Sequence, residues 1–174
     1  TDLFACSEEA GKYLFKDKPF HVLKNAIDSE KFIADEKIRK DIRRELGLEG
    51  RFVVGHVGRL HPQKNHEFLI DVFNEIKKRE SNAEMILVGT GPLEEKIKSK
   101  VAELRLSKSV YFLGNRKDMN RIFHAMDVFV FPSLFEGLGI VAIEAQAAGI
   151  PIVCSEGLPP ETNITPIYRK LMLS

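Results

Sequence analysis

The chain has 174 residues, 44% hydrophobic and 29% charged, and its 26 basic and 25 acidic side chains leave a formal charge of +1. That length supports one hydrophobic core, or one core plus a fragment, and the near-neutral balance argues against nucleic acid or an anionic membrane as the main partner. Cys6 and Cys154 stand alone without CxxC spacing, which argues against a zinc ribbon or a disulfide framework and points to a reducing, cytoplasmic compartment.

The N-terminus "TDLFACSEEA" has neither a basic n-region nor an apolar h-region. No run approaches the roughly 18 apolar residues of a spanning helix, so the polypeptide is not expected to cross a membrane. "DLFACS" is predicted as a strand leading into the helix "EEAGKYLFK", and "HVLKNAID" as a short strand and turn before the charged helix "DEKIRKDIRRELGL". A strand in that position has unpaired edges and needs neighbours, so the chain is expected to begin inside a larger protein whose partner domain is missing. The run "KIRKDIRRELG" mixes both signs at helix-pair spacing, Glu36 with Lys40 for example, and reads as a solvated face.

From Arg51 the pattern changes to short β-branched runs alternating with longer segments of helical period, the signature of a parallel sheet with crossover helices. Strands are predicted at "FVVGHVG" (52–58), "EMILVGT" (84–90), "SVYFLG" (109–114), "DVFVFPS" (127–133) and "PIVCS" (151–155). Their near-continuous apolar character means a sheet covered on both faces. "NHEFLIDVFNEIKKRE" places Phe68, Leu69, Val72, Phe73 and Ile76 on one helix face, with Asn65 as the expected cap and basic residues at the end. "PLEEKIKSKVAELRL", "RKDMNRIFHAM" and "IVAIEAQAAG" read as three more helices, the last ended by Gly149 before Pro151.

Ligands of an open parallel sheet bind outside the carboxyl ends of its strands, so the strand-to-helix turns are the informative segments. In "GRLHPQKN", Arg59 and Lys64 sit five apart before a helix and suit a diphosphate, or else form a solvated basic turn. In "SLFEGLGIVAIEAQAAG", Gly137 and Gly139 allow close backbone approach to a ligand at a helix N-terminus. Glu136 precedes them, where a carboxylate accepts hydrogen bonds from hydroxyls. Glu144 lies among Ile, Val and Ala; it either meets donors such as paired ribose hydroxyls or sits on an exposed stripe with Gln146.

"GTGPLE" (89–94) has Glu94 where a dinucleotide fingerprint has its third glycine, and reads as a structural turn. His56, His61 and His66 would fall on a strand, a loop and a helix start, which gives no shared face for a metal. No Asp-x-Asp pair is present to hold a metal-bound diphosphate, so Arg59, Lys64 and backbone groups would meet the phosphate charge.

Together "VGRLHPQKN", "ILVGTGPLEEKI", "VYFLGNRKD" and "FPSLFEGLGIVAIEAQAAGIPIVCS" resemble the C-terminal, nucleotide-sugar-binding half of retaining GT-B glycosyltransferases of family GT4, the glycosyl transferases group 1. Glu136 and Glu144 match that family's E-x7-E motif. The resemblance implies an α/β fold, a Rossmann-like parallel sheet with helices on both faces, preceded by a fragment of the N-terminal domain. In its terms residues 1–23 match the closing strand and helix of that N-terminal domain, 24–50 an interdomain segment and helix, and 51–174 the nucleotide-sugar-binding domain without its last helix. Ala26 stands where the family usually has glycine. The tail "EGLPPETNITP" is most similar to bacterial capsular and exopolysaccharide transferases.

The resemblance also implies roles. Arg59 and Lys64 match the pair that holds the donor diphosphate, Glu136 the acid that contacts the donor sugar, and Glu144 the acid that binds ribose hydroxyls. Backbone groups of Gly137, Leu138 and Gly139 match the turn facing sugar and phosphates, and Asn115 and Arg116 fall in the loop that contacts the base. The implied reaction transfers a sugar from a nucleotide diphosphate, by family habit UDP, to an acceptor hydroxyl with retention, with no metal and no cofactor. The implied partners are the nucleotide sugar, an acceptor saccharide, free or lipid-linked, and the missing N-terminal domain. Peripheral contact of the parent with the inner face of the membrane is a secondary expectation, and the chain alone is expected to turn over little. An epimerase or phosphorylase of the same architecture, an NAD-binding domain, and a non-catalytic α/β module are the alternatives.

Overall fold

The computed structural model describes residues 2–172. Thr1, Leu173 and Ser174, at the outer ends of the expected segments 1–23 and 51–174, lie outside the described residues. The first segment supplies its own strand neighbour: β1 (Phe4–Ala5) pairs in parallel with β2 (His21–Val22) around helix α1 (Glu8–Phe15). Ser7 opens α1, its Oγ accepting the Ala10 N–H at 3.1 Å, and Glu8 and Glu9 follow in the first turn, where the helix dipole favours acids.

A 3-10 turn (Ser29–Phe32) then carries Phe32 into the core, and helix α2 (Glu36–Leu46) follows. The Asp35 carboxylate accepts the Ile38 and Lys37 N–H groups, which holds its pKa below the usual range, and Gly47 closes the helix in the left-handed conformation. The solvated face expected here holds only in part. Glu36 and Lys40 form no ion pair among the described residues, whereas Arg39 and Arg43 reach Asp127 at 2.5 and 2.6 Å. The same Asp127 accepts the Val53 N–H at 2.7 Å, so one carboxylate joins α2 to two strands of the main sheet.

That sheet is built from β3 (Phe52–Val57), β4 (Ala83–Val88), β5 (Val110–Phe112), β6 (Val128–Phe131), β7 (Ile152–Ser155) and β8 (Tyr168–Leu171), all parallel in the order β5-β4-β3-β6-β7-β8. Helices α3 (His66–Arg79), α4 (Glu94–Glu103), α5 (Met119–Ala125) and α6 (Ile140–Ala147) make the crossovers. The five expected strands are present. β8 is the addition: of its four residues only Tyr168 is buried, and charged Arg169 and Lys170 hide the strand in the sequence because it lies at the sheet edge.

Alternate side chains bury on opposite faces. Val53, Ile86, Val88, Phe129 and Phe131 enter one core cluster with Ile42 and Ala145, while Val54, Met85 and Leu87 enter a second with Leu69, Phe73 and Ile97. Asn65 is not the side-chain cap expected for α3. It lies in the left-handed region (φ 54°) and makes no side-chain cap bond, its backbone N–H instead closing the preceding 3-10 turn (Pro62–Lys64) onto Pro62 O. The chain builds outward from β3 to β5 and then returns to place β6 on the other side of β3. The topological switch point therefore lies between β3 and β6, where open α/β sheets hold ligands.

Candidate functional site

The loops that leave β3 and β6 meet at this switch point. Leu134 N–H donates to Gln63 O at 2.8 Å, and the Gln63 side-chain Nε2 donates to Phe135 O at 2.8 Å. Next to this clamp Lys64 Nζ lies 2.5 Å from Glu136 Oε1, with the two side chains 16% and 7% exposed, and 4.8 Å from the Phe131 ring centroid. A buried pair of this kind is held by mutual charge, and losing either member strands the other. Nothing in the sequence pattern singled out Gln63, since its role depends on a loop 72 residues away.

Arg59 is exposed, and among the described residues it has no hydrogen bond or ion pair. It lines a cavity of about 430 Å³ at the ends of β3, β4 and β5, together with Gly58, Thr90, Asn115 and Arg116. The expected site residues thus fall into two neighbouring groups, Lys64 with Glu136 and Arg59 with Asn115 and Arg116. Gly58 joins them, because a Cβ there would lie 3.2 Å from Lys64 Cδ. Gly89, at φ +126°, belongs to the same wall: any side chain would strike Gly58 O at 2.2 Å. The "GTG" turn is accordingly structural, as expected, and brings the β3 and β4 loops into contact.

Asn115 Oδ1 accepts from Thr90 Oγ1 at 3.4 Å. The Arg116 guanidinium is committed to Asp118, by bonds of 2.8 and 2.7 Å, and to Glu45 at 3.3 Å. Those bonds raise the Arg116 pKa, chiefly through Asp118, and lower that of Asp118. Its side chain is therefore a fixed brace of the loop, while Asn115 beside it stays exposed.

After Glu136 the chain turns into α6. Gly139 is the N-cap at φ 75°, a conformation that suits glycine, and a Cβ there would come within 3.3 Å of the Phe131 ring. Leu138 tucks its side chain into the core at 7% exposure. Among the described residues the amide N–H groups of Gly137, Leu138 and Gly139 have no protein acceptor. Unpartnered donors at the start of a helix suit an anion.

Glu144 lies within α6 and is half-buried, and among the described residues its carboxylate has no donor. Desolvation alone pushes its pKa up. The exposed stripe with Gln146 is not what forms. Gln146 is 4% exposed, donates to Ala142 O and Thr162 O, and accepts from Ile164 N, Thr165 N and Thr165 Oγ1, which fastens the segment leading to β8.

His56, His61 and His66 fall on a strand, a loop and a helix start as expected, but the fold brings two of them together. His61 is exposed in the loop, whereas His56 and His66 pack edge to face with ring centroids 4.6 Å apart in the core. His56 Nδ1–H donates to Val130 O at 2.8 Å, while His56 Nε2 and both His66 nitrogens are unpartnered. Burial depresses His56 to about 3, with His66 adding to the effect, and burial then Lys64 depress His66 to about 4. Among the described residues no three of His, Cys, Asp and Glu converge. A second concavity, about 450 Å³, lies on the outer face of α3, away from the strand ends.

Residues 38–166, which carry these loops and strands β3 to β7, match the family described as Glycosyl transferases group 1. The chain belongs to that family. EpsF of Bacillus subtilis (strain 168), named a glycosyltransferase, is 36% identical over 169 residues, covering 94% of this chain and 44% of that protein. The UDP-Gal:alpha-D-GlcNAc-diphosphoundecaprenol alpha-1,3-galactosyltransferase of Escherichia coli is 36% identical over 139 residues, covering 77% of this chain and 36% of that protein. Among solved structures, Anabaena HepE in complex with UDP-glucose has a TM-score of 0.82 at 26% identity, over 90% of this chain and 45% of that one. The chain spans less than half the length of these relatives. The α/β class and the parallel sheet expected for this half of a GT-B glycosyltransferase hold. No described helix is long and apolar enough to cross a membrane.

Proposed function

We propose that this group 1 domain is the donor half of a retaining glycosyltransferase. It binds a nucleotide diphosphate sugar, UDP-linked, for transfer to an acceptor hydroxyl in bacterial polysaccharide synthesis. The observation that carries the reading is Glu144: a half-buried carboxylate without a donor, whose pKa is raised by desolvation, on the helix that begins at three unpartnered amide N–H groups. Two ribose hydroxyls supply the donors it lacks, and a diphosphate supplies the acceptor for the amides.

Within this reading the diphosphate lies between Arg59 and the Gly137–Gly139 turn, and Lys64 turns part of its charge from Glu136 to the phosphates. Glu136 accepts from hydroxyls of the sugar. The departing diphosphate is stabilised by these cations and N–H groups, which needs no metal. Asn115 and the main chain beside it face the base. The acceptor, free or lipid-linked, and the rest of its site belong to the remainder of a longer protein working at the cytoplasmic side of the membrane. Uridine diphosphate is favoured by the UDP-galactose in the name of the Escherichia coli relative and the UDP-glucose bound to HepE.

Calorimetric titration with UDP, GDP and ADP tests this reading. Saturable binding of UDP, weakened by both Glu144→Gln and Arg59→Ala, is the expected result. Binding indifferent to both substitutions would overturn it. With the complete protein, proton NMR of the first-formed product reads retention from the anomeric coupling constant.

A further inference from the structure

Ser7 is fully buried at the start of α1, 130 residues from the Gly137–Gly139 turn in sequence, yet its Oγ donates to Gly137 O at 2.6 Å. The same oxygen accepts the Ala10 N–H at 3.1 Å. A hydroxyl carries one proton, so the helix cap uses a lone pair and the only donor goes to Gly137. The neighbouring Cys6 Sγ would lie 4.0 Å from a Cβ at Gly137, so the first strand-helix unit is seated against this turn.

We propose that Ser7 is a positioning residue for the donor diphosphate, because its hydroxyl fixes the Gly137–Leu138 peptide and thereby aims the Leu138 N–H. All peptide bonds described are trans, and in a trans peptide the C=O and the N–H point in opposite directions. Pulling Gly137 O toward Ser7 therefore directs the Leu138 N–H away from α1. That N–H is one of the three amides without a protein acceptor.

The turn needs such an anchor. Glu136 is held by Lys64 on one side and Gly139 by its packing against Phe131 on the other. Between them Gly137 has no side chain to restrict its ψ, so its carbonyl can rotate at small cost unless something binds it. Ser7 supplies that bond from a different part of the chain. It also makes the first strand-helix unit a contributor to donor binding rather than a passive neighbour.

The inference rests on the donor reading above, and the test separates the two. Calorimetry compares wild type with Ser7→Ala, Ser7→Asp, Ser7→Thr and Glu144→Gln, using UDP and uridine, or GDP and guanosine if the protein selects that base. Aspartate keeps the cap acceptor but has no proton for Gly137, whereas threonine keeps both functions. Expected is a loss of about tenfold in UDP affinity for Ser7→Ala and Ser7→Asp, the scale of one hydrogen bond, with uridine affinity unchanged and Ser7→Thr close to wild type.

UDP affinity unchanged in Ser7→Ala and Ser7→Asp, while Glu144→Gln weakens it, would remove the Ser7 role and leave the donor site standing. Parallel losses for UDP and uridine would also overturn it, since they mark general loosening instead of aim at the diphosphate. Wild type binding none of UDP, GDP and ADP would sink the donor reading and this inference with it.

Discussion

Glu144→Gln should move two measurements in opposite directions. In the unliganded protein the carboxylate is half-buried without a donor, and its pKa is raised by desolvation. A raised carboxyl pKa means that the folded state holds its proton more tightly than the unfolded one. The associated destabilisation is absent below the unfolded pKa, develops as pH rises, and is complete above the folded pKa. A neutral amide removes it. Water still screens half of the site, so the gain stays below about 1 kcal/mol, a rise in Tm of up to about 3 °C for a chain this long.

Donor binding should suffer from the same change. A carboxylate accepting two ribose hydroxyls makes charge-assisted bonds that glutamine reproduces only in part, a loss of about 2 kcal/mol or about thirtyfold in Kd. The assays are thermal unfolding at pH 5 and pH 8 and calorimetry with UDP at pH 8. The Tm gain should be larger at pH 8 than at pH 5, where the wild-type carboxyl is closer to being protonated. Unchanged UDP affinity in a folded Glu144→Gln protein would refute the assignment of this carboxylate to the ribose.

Lys64→Met leaves the 7% exposed Glu136 carboxylate without its cation; the expected cost is about 3 kcal/mol in urea unfolding, together with weaker UDP binding. Asp127→Ala removes the counter-charge of Arg39 and Arg43, which keep bonds to the His124, Met126 and Arg51 carbonyls, and leaves the Val53 N–H without its acceptor. It should cost about 2 kcal/mol, with UDP affinity unchanged in the folded protein, since this hub lies at the start of β6. The buried His56 and His66, depressed to about 3 and about 4, take up fewer protons in the folded than in the unfolded chain. Their contribution is complete above the unfolded histidine pKa of about 6.5 and is lost as pH falls from there toward about 4, so unfolding near pH 5 should take up about two protons at these sites. A slope of stability against pH that is the same in His66→Asn as in wild type would contradict that pairing.

The expected strands and helices from Arg51 onward were legible because each is long or apolar enough for its period to show, and the glycines at 137 and 139 marked the turn. β8 was not legible, since an edge strand with Arg169 and Lys170 facing water carries no apolar alternation. Asn65 does take the N-cap position expected of it, but without the side-chain bond its residue type suggested. The backbone there is left-handed, and the preceding 3-10 turn decides its use.

Candidate site residues divide in the same way. The turns after β3 and β6 drew attention to Arg59, Lys64 and Glu136, because a parallel sheet gathers the ends of its strands on one side. A solvated turn or an exposed stripe stayed open for Arg59, Lys64 and Glu144 until the family resemblance gave them roles. Pairing was beyond it. That Lys64 meets Glu136, that Asp118 and Glu45 occupy Arg116, and that Gln146 turns inward while Glu144 is left without a donor all depend on contacts between segments far apart in the chain. Local pattern sets which face of an element is apolar and which turns are tight. Only the packed fold decides which polar groups find partners and which are left over for a ligand, because hydrogen bonds and ion pairs form across distances in space that the sequence does not order.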